Sequence, residues 1–372
     1  MTVTGNAAGP TAGTGTPRRP AVFHPLRVSA VDRLTEDAVA VTFDVPDRLR
    51  AEFAFEPGQH LSVRSPALGD GVRRSYSICA PATGGPLRIG VKRIAGGVFS
   101  GYVAERLRPG DTLDVMTPTG TFTTHLDPAR SRRYVAVAAG SGITPVLSIL
   151  ATALEVEPDS TAALVYVNRR TSTIMFLEEL EDLKNRFPAR LQLIHVLGHE
   201  MTEVELLSGR LDVDRFDRIL DTLLPVDEVD EWFLCGPLAL TDTVRGVLVD
   251  RGVDPEHVHR ELFHVGAVAR RRTVTAAPPA AGARVTVILD GRSVDLTVPA
   301  GDSILDATLE MRADAPYSCR NAVCGTCRAR VTQGRVAMDA NYALEPDEVA
   351  RGFVLTCQSH PVTDRVVVDF DS

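Results

Sequence analysis

Four of the chain's six cysteines fall into the pattern Cys-x4-Cys-x2-Cys-x29-Cys, at Cys319, Cys324, Cys327 and Cys357. Four thiolates can bind zinc or an iron–sulfur cluster. Zinc sites usually arrive as two Cys-x-x-Cys pairs, each on its own knuckle. Here there is one such pair, an extra cysteine five residues earlier and a distant fourth, which is the plant-type [2Fe–2S] spacing. Three ligands on one loop can wrap two irons, while Cys357 closes the cage from a strand. Within "CRNAVCGTC", Ala322 and Gly325 let the backbone come close enough for its N–H groups to reach the sulfurs. Core cysteines do not cluster on an Asn/Gly/Arg loop, so four buried structural thiols are the weaker reading. Such a cluster takes one electron at a time, and something upstream must feed it.

The chain has 372 residues, enough for two or three domains, and a formal charge of −8, which argues against a nucleic-acid partner. Residues 1–20 are rich in Gly, Thr and Pro and lack the apolar core of a signal peptide, so they read as a disordered tail. No run approaches a membrane span. The cysteines form no disulfide framework, which fits a reducing compartment, and the expected location is cytoplasmic.

Residues 21–128 carry short alternating segments, LRVSAV, VAVTFDV, QHLSVRS, RRSYSIC, LRIGVKRI and DTLDVMT, separated by Gly and Pro clusters. This is the pattern of a small antiparallel β-barrel. From 129 to 264 continuous apolar strands alternate with helical stretches, which implies an α/β domain with a parallel sheet. Residues 265–283 are Ala/Pro-rich and aperiodic, a linker whose arginines 270–272 read as a solvated charge run rather than a docking element. A hairpin turning at Asp290-Gly291, a short helix from Ser303, the cysteine loop and two late strands make residues 284–372 a third, α+β domain.

Three stretches carry cofactor chemistry. In "RRSYSIC", Arg74 suits a phosphate, Tyr76 a flavin ring and Ser77 a hydrogen bond to the reactive ring nitrogen. In "KRIAGGVFSGYV", Gly97 precedes a helix whose first residues, Val98 to Ser100, suit a pyrophosphate, although Gly96-Gly97 alone would read as a plain turn. In "AAGSGITPV", Gly140 and Gly142 give a tight turn into a helix that opens with Thr144 and Pro145. Pro145 stands where the dinucleotide fingerprint has its third glycine. At the end of the next strand, Arg169 and Arg170 favour a 2′-phosphate, hence NADPH over NADH, although paired arginines are also common on surface loops. "WFLCGP" puts Cys235 and Gly236 at a strand end facing the ligand crevice, Cys235 as packing against the rings rather than as a nucleophile, or as a buried inert thiol. His195 and His199 straddle a strand end with Gly198 between them, which argues against coordination.

This ordered set resembles the ferredoxin–NADP reductase superfamily. With a C-terminal plant-type ferredoxin domain of β-grasp fold, it resembles the reductase component of multicomponent oxygenases. The resemblance covers about residues 21–372. "KRIAGGVFSGYVAERLRPGDTLDVMTPTGTF" and "MDANYALEPDEVARGFVLTCQSHPVTDRVVVDFD" narrow it to the phenylacetyl-CoA epoxidase reductase family, which uses FAD, a [2Fe–2S] cluster and NADPH to drive a separate di-iron oxygenase in phenylacetate catabolism. It implies that Tyr76 and Ser77 face the flavin ring while Arg74 and the 97–100 turn hold the pyrophosphate. Reductases of steroid-ring or aromatic-ring hydroxylases share most of these residues and are the alternative. No motif here contacts an acyl-CoA.

A nicotinamide gives up two electrons as a hydride, whereas the cluster accepts one, so a flavin has to stand between them. Two other classes are weighed against this relay. A cluster-gated redox sensor would differ in its response to cytochrome c, and a self-sufficient enzyme would need a substrate site of its own, for which no His/Glu ligand pairs speak.

Overall fold

The structure, a computed structural model, describes residues 1–5, 22–69, 71–263 and 282–372. The chain divides into two compact units, Phe23–His264 and a second one made of Met1–Val22 with Val265–Ser372. The linker expected at 265–283, with its three arginines, lies outside the described residues up to 281.

The chain begins with a strand, β1 (Thr2–Thr4), where composition suggested a disordered tail. Val3 is buried, because a long-range partner described below supplies the backbone bonds that Thr-Val-Thr cannot make alone. Residues 6–20 of that expected tail lie outside the described residues.

In the first unit, β2 (Phe23–Thr35), β3 (Ala38–Asp44), β4 (His60–Arg64), β5 (Arg73–Ser77), β6 (Leu87–Lys92) and β7 (Thr112–Met116) form one antiparallel sheet in the order β5-β4-β7-β2-β3-β6. A bridge between Ile78 and Ile89, with Cys79 N–H donating to the Arg88 carbonyl at 2.9 Å, brings the two edges together as a barrel. The inward positions of the alternating strands, Leu26, Val41, Leu61, Val63, Val91 and Val115, are fully buried. Helix α1 (Val98–Glu105) packs Phe99 and Val103 into the same core.

The same unit continues with β8 (Arg133–Ala139), α2 (Ile143–Val156), β9 (Thr161–Asn168), α3 (Leu177–Arg186), β10 (Leu191–Leu197), α4 (Val213–Leu223), β11 (Glu231–Gly236), α5 (Leu238–Asp250) and β12 (Val258–Leu262). The strands form a parallel sheet ordered β10-β9-β8-β11-β12. The order reverses between β8 and β11, and ligands of such sheets bind at the carboxyl ends of the strands beside that switch. Helix α2 is apolar nearly all round because it is covered on both sides, by the sheet and by the barrel. Ser148 Oγ donates to the Ala80 carbonyl at 2.7 Å, and Ala82 N–H donates to Thr152 Oγ1 at 3.0 Å. Gly90 is a close-approach glycine, since a Cβ there would stand 2.6 Å from the Thr144 methyl.

In the second unit, β13 (Ala283–Leu289) and β14 (Arg292–Val298) form the expected hairpin, with Asp290 and Gly291 both at positive φ (53° and 68°), as a tight turn between right-twisted strands requires. Helix α6 (Ile304–Met311) is capped by Ser303, whose Oγ accepts the Asp306 N–H at 3.1 Å. Then come β15 (Arg328–Gln333), β16 (Arg335–Met338), α7 (Pro346–Ala350), β17 (Phe353–Leu355), β18 (Ser359–Pro361) and β19 (Arg365–Asp369). The main mixed sheet runs β14-β13-β19-β15-β17, and a smaller sheet runs β1-β16-β18. Val3 pairs with Val336 and lies in the core of this unit.

Candidate functional site

The flavin candidates gather on β5 and the α1 turn. Alternation along β5 leaves Arg74 exposed and buries Arg73 and Ser77. Tyr76 rests against Phe99, ring centroids 5.8 Å apart, and desolvation holds its phenol well above the ordinary range. Arg74 Nη1 donates to the Arg73 carbonyl at 2.7 Å, which fixes its stem at the strand surface. At the head of α1, Ser100 Oγ accepts the Ile94 N–H at 3.1 Å and donates to the Gly97 carbonyl at 3.4 Å. Ser100 therefore ties the turn together from inside, and the exposed side chain at the helix start is Val98. A Cβ on Gly97 would stand 2.5 Å from Ser100 Oγ and would push that hydroxyl out of the bonds that tie the turn. An exposed guanidinium, a ring with one face covered and a helix N-terminus in an exposed turn are a donor set that suits a flavin dinucleotide.

The nicotinamide candidates line the switch point. Gly140–Gly142 is a single helical turn between β8 and α2. Gly140 has φ of 53°, and its carbonyl accepts the Tyr166 hydroxyl at 2.8 Å. A Cβ on Gly142 would stand 2.1 Å from the Cys235 carbonyl oxygen, so only glycine lets the turn approach the end of β11. Thr144 and Pro145 are buried, and Thr144 Oγ1 donates to the Ser141 carbonyl at 3.0 Å, so both shape the turn instead of reaching outward. Gly236 is likewise packed against Ala139.

Cys235 is fully buried, and its thiol is raised well above the ordinary range by that burial and then by the charge of Glu261. A thiol held protonated in this way is packing, not a nucleophile. Glu261 stands in register with Cys235 on β12, and Ser77 Oγ donates to Glu261 Oε2 at 3.1 Å. The structure thus brings Ser77 of the barrel and Cys235 of the sheet to one carboxylate. Sequence reasoning missed Glu261. The signal available was a carboxylate on the sheet's last strand, "HRELF", two elements after "CGP".

Arg169 and Arg170 are exposed just past β9. The loop after β10 runs beside them, with His199 N–H donating to the Arg169 carbonyl at 2.8 Å. Glu200 on that loop accepts from the Thr171 amide at 2.8 Å and its hydroxyl at 2.9 Å. These bonds, together with Arg170, hold its carboxyl below the usual range. An acidic side chain therefore shares the place where only arginines were read.

In the second unit the cysteine loop connects α6 to β15. The Cys319 thiol neighbours that of Cys324, and the Cys327 thiol neighbours that of Cys357; the neighbouring thiol and then burial push Cys319 and Cys327 well above the ordinary range. Among the described residues no three ligating side chains converge as for a single ion. Two thiol pairs, one for each iron, suit a two-iron cluster. Arg320, Ala322 and Gly325 all have positive φ (54°, 63° and 65°), which folds the loop back on itself, and Asn321 N–H donates to Cys319 Sγ at 3.3 Å. Cys79 stands apart, its Sγ donating to the Arg88 carbonyl.

Known proteins match the whole arrangement. Residues 25–124 match the oxidoreductase FAD-binding domain, 136–246 the oxidoreductase NAD-binding domain and 287–362 the 2Fe-2S iron-sulfur cluster binding domain. The chain is 44% identical to a subunit of 1,2-phenylacetyl-CoA epoxidase from Escherichia coli, over 94% of this chain and 98% of that protein. It is 35% identical to the ferredoxin reductase component of 3-ketosteroid-9-alpha-monooxygenase from Rhodococcus rhodochrous, over 93% and 96% of the two chains. Among solved structures, phthalate dioxygenase reductase superimposes with a TM-score of 0.58 at 25% identity, covering 94% of this chain and 98% of that one. An antiparallel barrel, a parallel sheet with its glycine turn and a four-cysteine loop, matched end to end in that order, place the chain in the family of three-domain FAD, NAD and [2Fe–2S] oxidoreductases to which these oxygenase reductase components belong.

Proposed function

We propose that the chain takes a hydride from NADPH onto FAD, passes electrons singly to the [2Fe–2S] cluster, and delivers them to a separate di-iron oxygenase acting on phenylacetyl-CoA. The carrying observation is the similarity to the phenylacetyl-CoA epoxidase component, 44% identity over 94% of this chain and 98% of that protein. Bound FAD supplies the conversion of a two-electron donor into one-electron steps. The chain's residues do the rest. Arg74 and the 97–100 turn, Val98 included, hold the pyrophosphate. Tyr76 covers the ring. Ser77, fixed by Glu261, presents its hydroxyl beside Cys235 at the switch point. Gly140, Gly142, Thr144, Pro145 and Gly236 form the turn that seats the nicotinamide dinucleotide, and Arg169 and Arg170 take its 2′-phosphate. Cys319, Cys324, Cys327 and Cys357 hold the cluster.

Among the described residues no helix is long and apolar enough to cross a membrane, and all six cysteines are unbridged thiols. The thiols support the cytoplasm as the compartment. The test is reconstitution: NADPH-dependent oxygen consumption with a phenylacetyl-CoA epoxidase oxygenase and with a steroid-ring hydroxylase oxygenase in parallel. Turnover with the first and not the second is expected, and the reverse would move the chain to the steroid-ring reductases. Turnover with neither, together with no reduction of cytochrome c, would favour a sensor.

A further inference from the structure

Cys357 lies far along the chain from the other three cysteines, and two neighbours fasten it to their loop. Thr356, fully buried, donates to the Cys327 carbonyl through its Oγ1 at 2.9 Å and its backbone amide at 3.2 Å. On the other side, Gln358 Nε2 donates one hydrogen to the Arg320 carbonyl at 3.0 Å, and its second is shared between the Cys357 carbonyl at 3.1 Å and Cys357 Sγ at 3.7 Å. Arg320 is itself fixed. Its backbone stands in the left-handed region, which is unfavourable for an L-residue, and its guanidinium lies 4.7 Å over the Tyr317 ring and 3.3 Å from Asp306. A residue held in a costly conformation by three separate contacts is a fixed anchor, not a mobile loop position.

We propose that Thr356 and Gln358 are positioning residues for the fourth cluster ligand, and that Gln358 also sets the cluster's reduction potential through its amide at Cys357 Sγ. The proposal rests on the [2Fe–2S] assignment and is independent of which coenzyme or oxygenase the chain uses. The two residues differ in one respect that makes them separable. Both clasp a carbonyl of the loop, but only the Gln358 side chain reaches a ligand sulfur. A donor to sulfur stabilises the extra negative charge of the reduced cluster and so raises its potential. A clasp on a carbonyl leaves that charge untouched and governs how firmly the ligand is held.

The test uses the full-length holoprotein, with potentiometry followed by electron paramagnetic resonance and cluster loss to a chelator followed by visible circular dichroism. Thr356→Val keeps shape but loses the hydroxyl. It should lose its cluster faster, within the roughly 10- to 100-fold range seen when metal-site supporting residues are changed, at an unchanged potential. Gln358→Leu should lose its cluster faster and also show a more negative potential. Gln358→Glu, which keeps the length but replaces the N–H donors with a carboxylate, should be more negative still. Wild-type potential in both Gln358 variants, or an equal shift in Thr356→Val, overturns the tuning role. If a variant purifies without cluster, ferrous iron and sulfide are added to the apo chain. Slower assembly than wild type supports the clasp, and equal assembly rates overturn it.

Discussion

At Gly142 an added Cβ would strike the Cys235 carbonyl oxygen, whereas at Ala322 a Cβ is already present even though the backbone stands in the left-handed region that disfavours it. The two turns belong to different units and are shaped by different means. The turn between β8 and α2 is glycine because the end of β11 lies against it, and its geometry follows from that packing. The cluster loop has room, since the nearest atom to a Cβ on Gly325 is 3.9 Å away, and it is shaped by unfavourable dihedrals that side-chain clasps and, when bound, the cluster hold in place. Close packing persists without a ligand. Strain of this kind has to be held by specific contacts.

Substitutions can break or sharpen that contrast. The largest effect is expected for Cys324→Ser, which should abolish cluster binding and oxygenase turnover while flavin reduction by NADPH, followed by stopped-flow absorbance, proceeds as before. Loss of flavin reduction as well would tie the two sites together. Gly142→Ala should come next, costing about 3 kcal/mol, the upper end of the overpacking range, and weakening coenzyme binding, measured by denaturant melts and titration with NADP⁺. The Arg169→Ala/Arg170→Ala double variant should lose roughly 10- to 150-fold in NADPH kcat/KM, the worth of a charge-assisted hydrogen bond, and little with NADH. Equal loss with both coenzymes would assign the arginines to the fold. Gly140→Ala meets no atom within 4 Å but sits at φ 53°, so about 1–2 kcal/mol is expected, from strain alone. A cost equal to that at Gly142 would erase the distinction between space and strain. Smallest, and opposite in sign, Ala322→Gly should stabilise the cluster unit by about 0.5–1 kcal/mol, the left-handed penalty less the entropy of glycine. Destabilisation there would mean that the buried Ala322 methyl contributes more through packing than its backbone loses.

Much of this was legible in the residues. Period-two alternation marked each barrel strand, strand–helix alternation marked the parallel sheet, and Asp290-Gly291 marked its hairpin. These are local signals, written within a few residues. The helical pattern of TIMFLEELEDLKNRF (173–187) gives a helix only from Leu177, because Phe176 takes a positive φ of 60° and turns its ring into the buried space beside Gly90. The contacts that escaped the sequence join distant segments. Ser77 meets Glu261, Thr171 meets Glu200, Cys327 meets Thr356 and Val3 meets Val336. No window of sequence contains both partners of such a pair, and a carboxylate or a Thr-Val-Thr run means little until its partner is known.

The pairing of β1 with β16 has a consequence for how the protein is made. Val3 leaves the ribosome before any part of the first unit, yet its partner, Val336, emerges only after that unit and most of the second are complete. At about 5–20 residues per second, the opening strand waits on the order of tens of seconds while everything between it and its partner is synthesised. These bonds of the cluster-bearing unit therefore close across nearly the whole sequence, in an order that runs against synthesis. Residues translated ahead of the first unit find their partners only after that unit is complete.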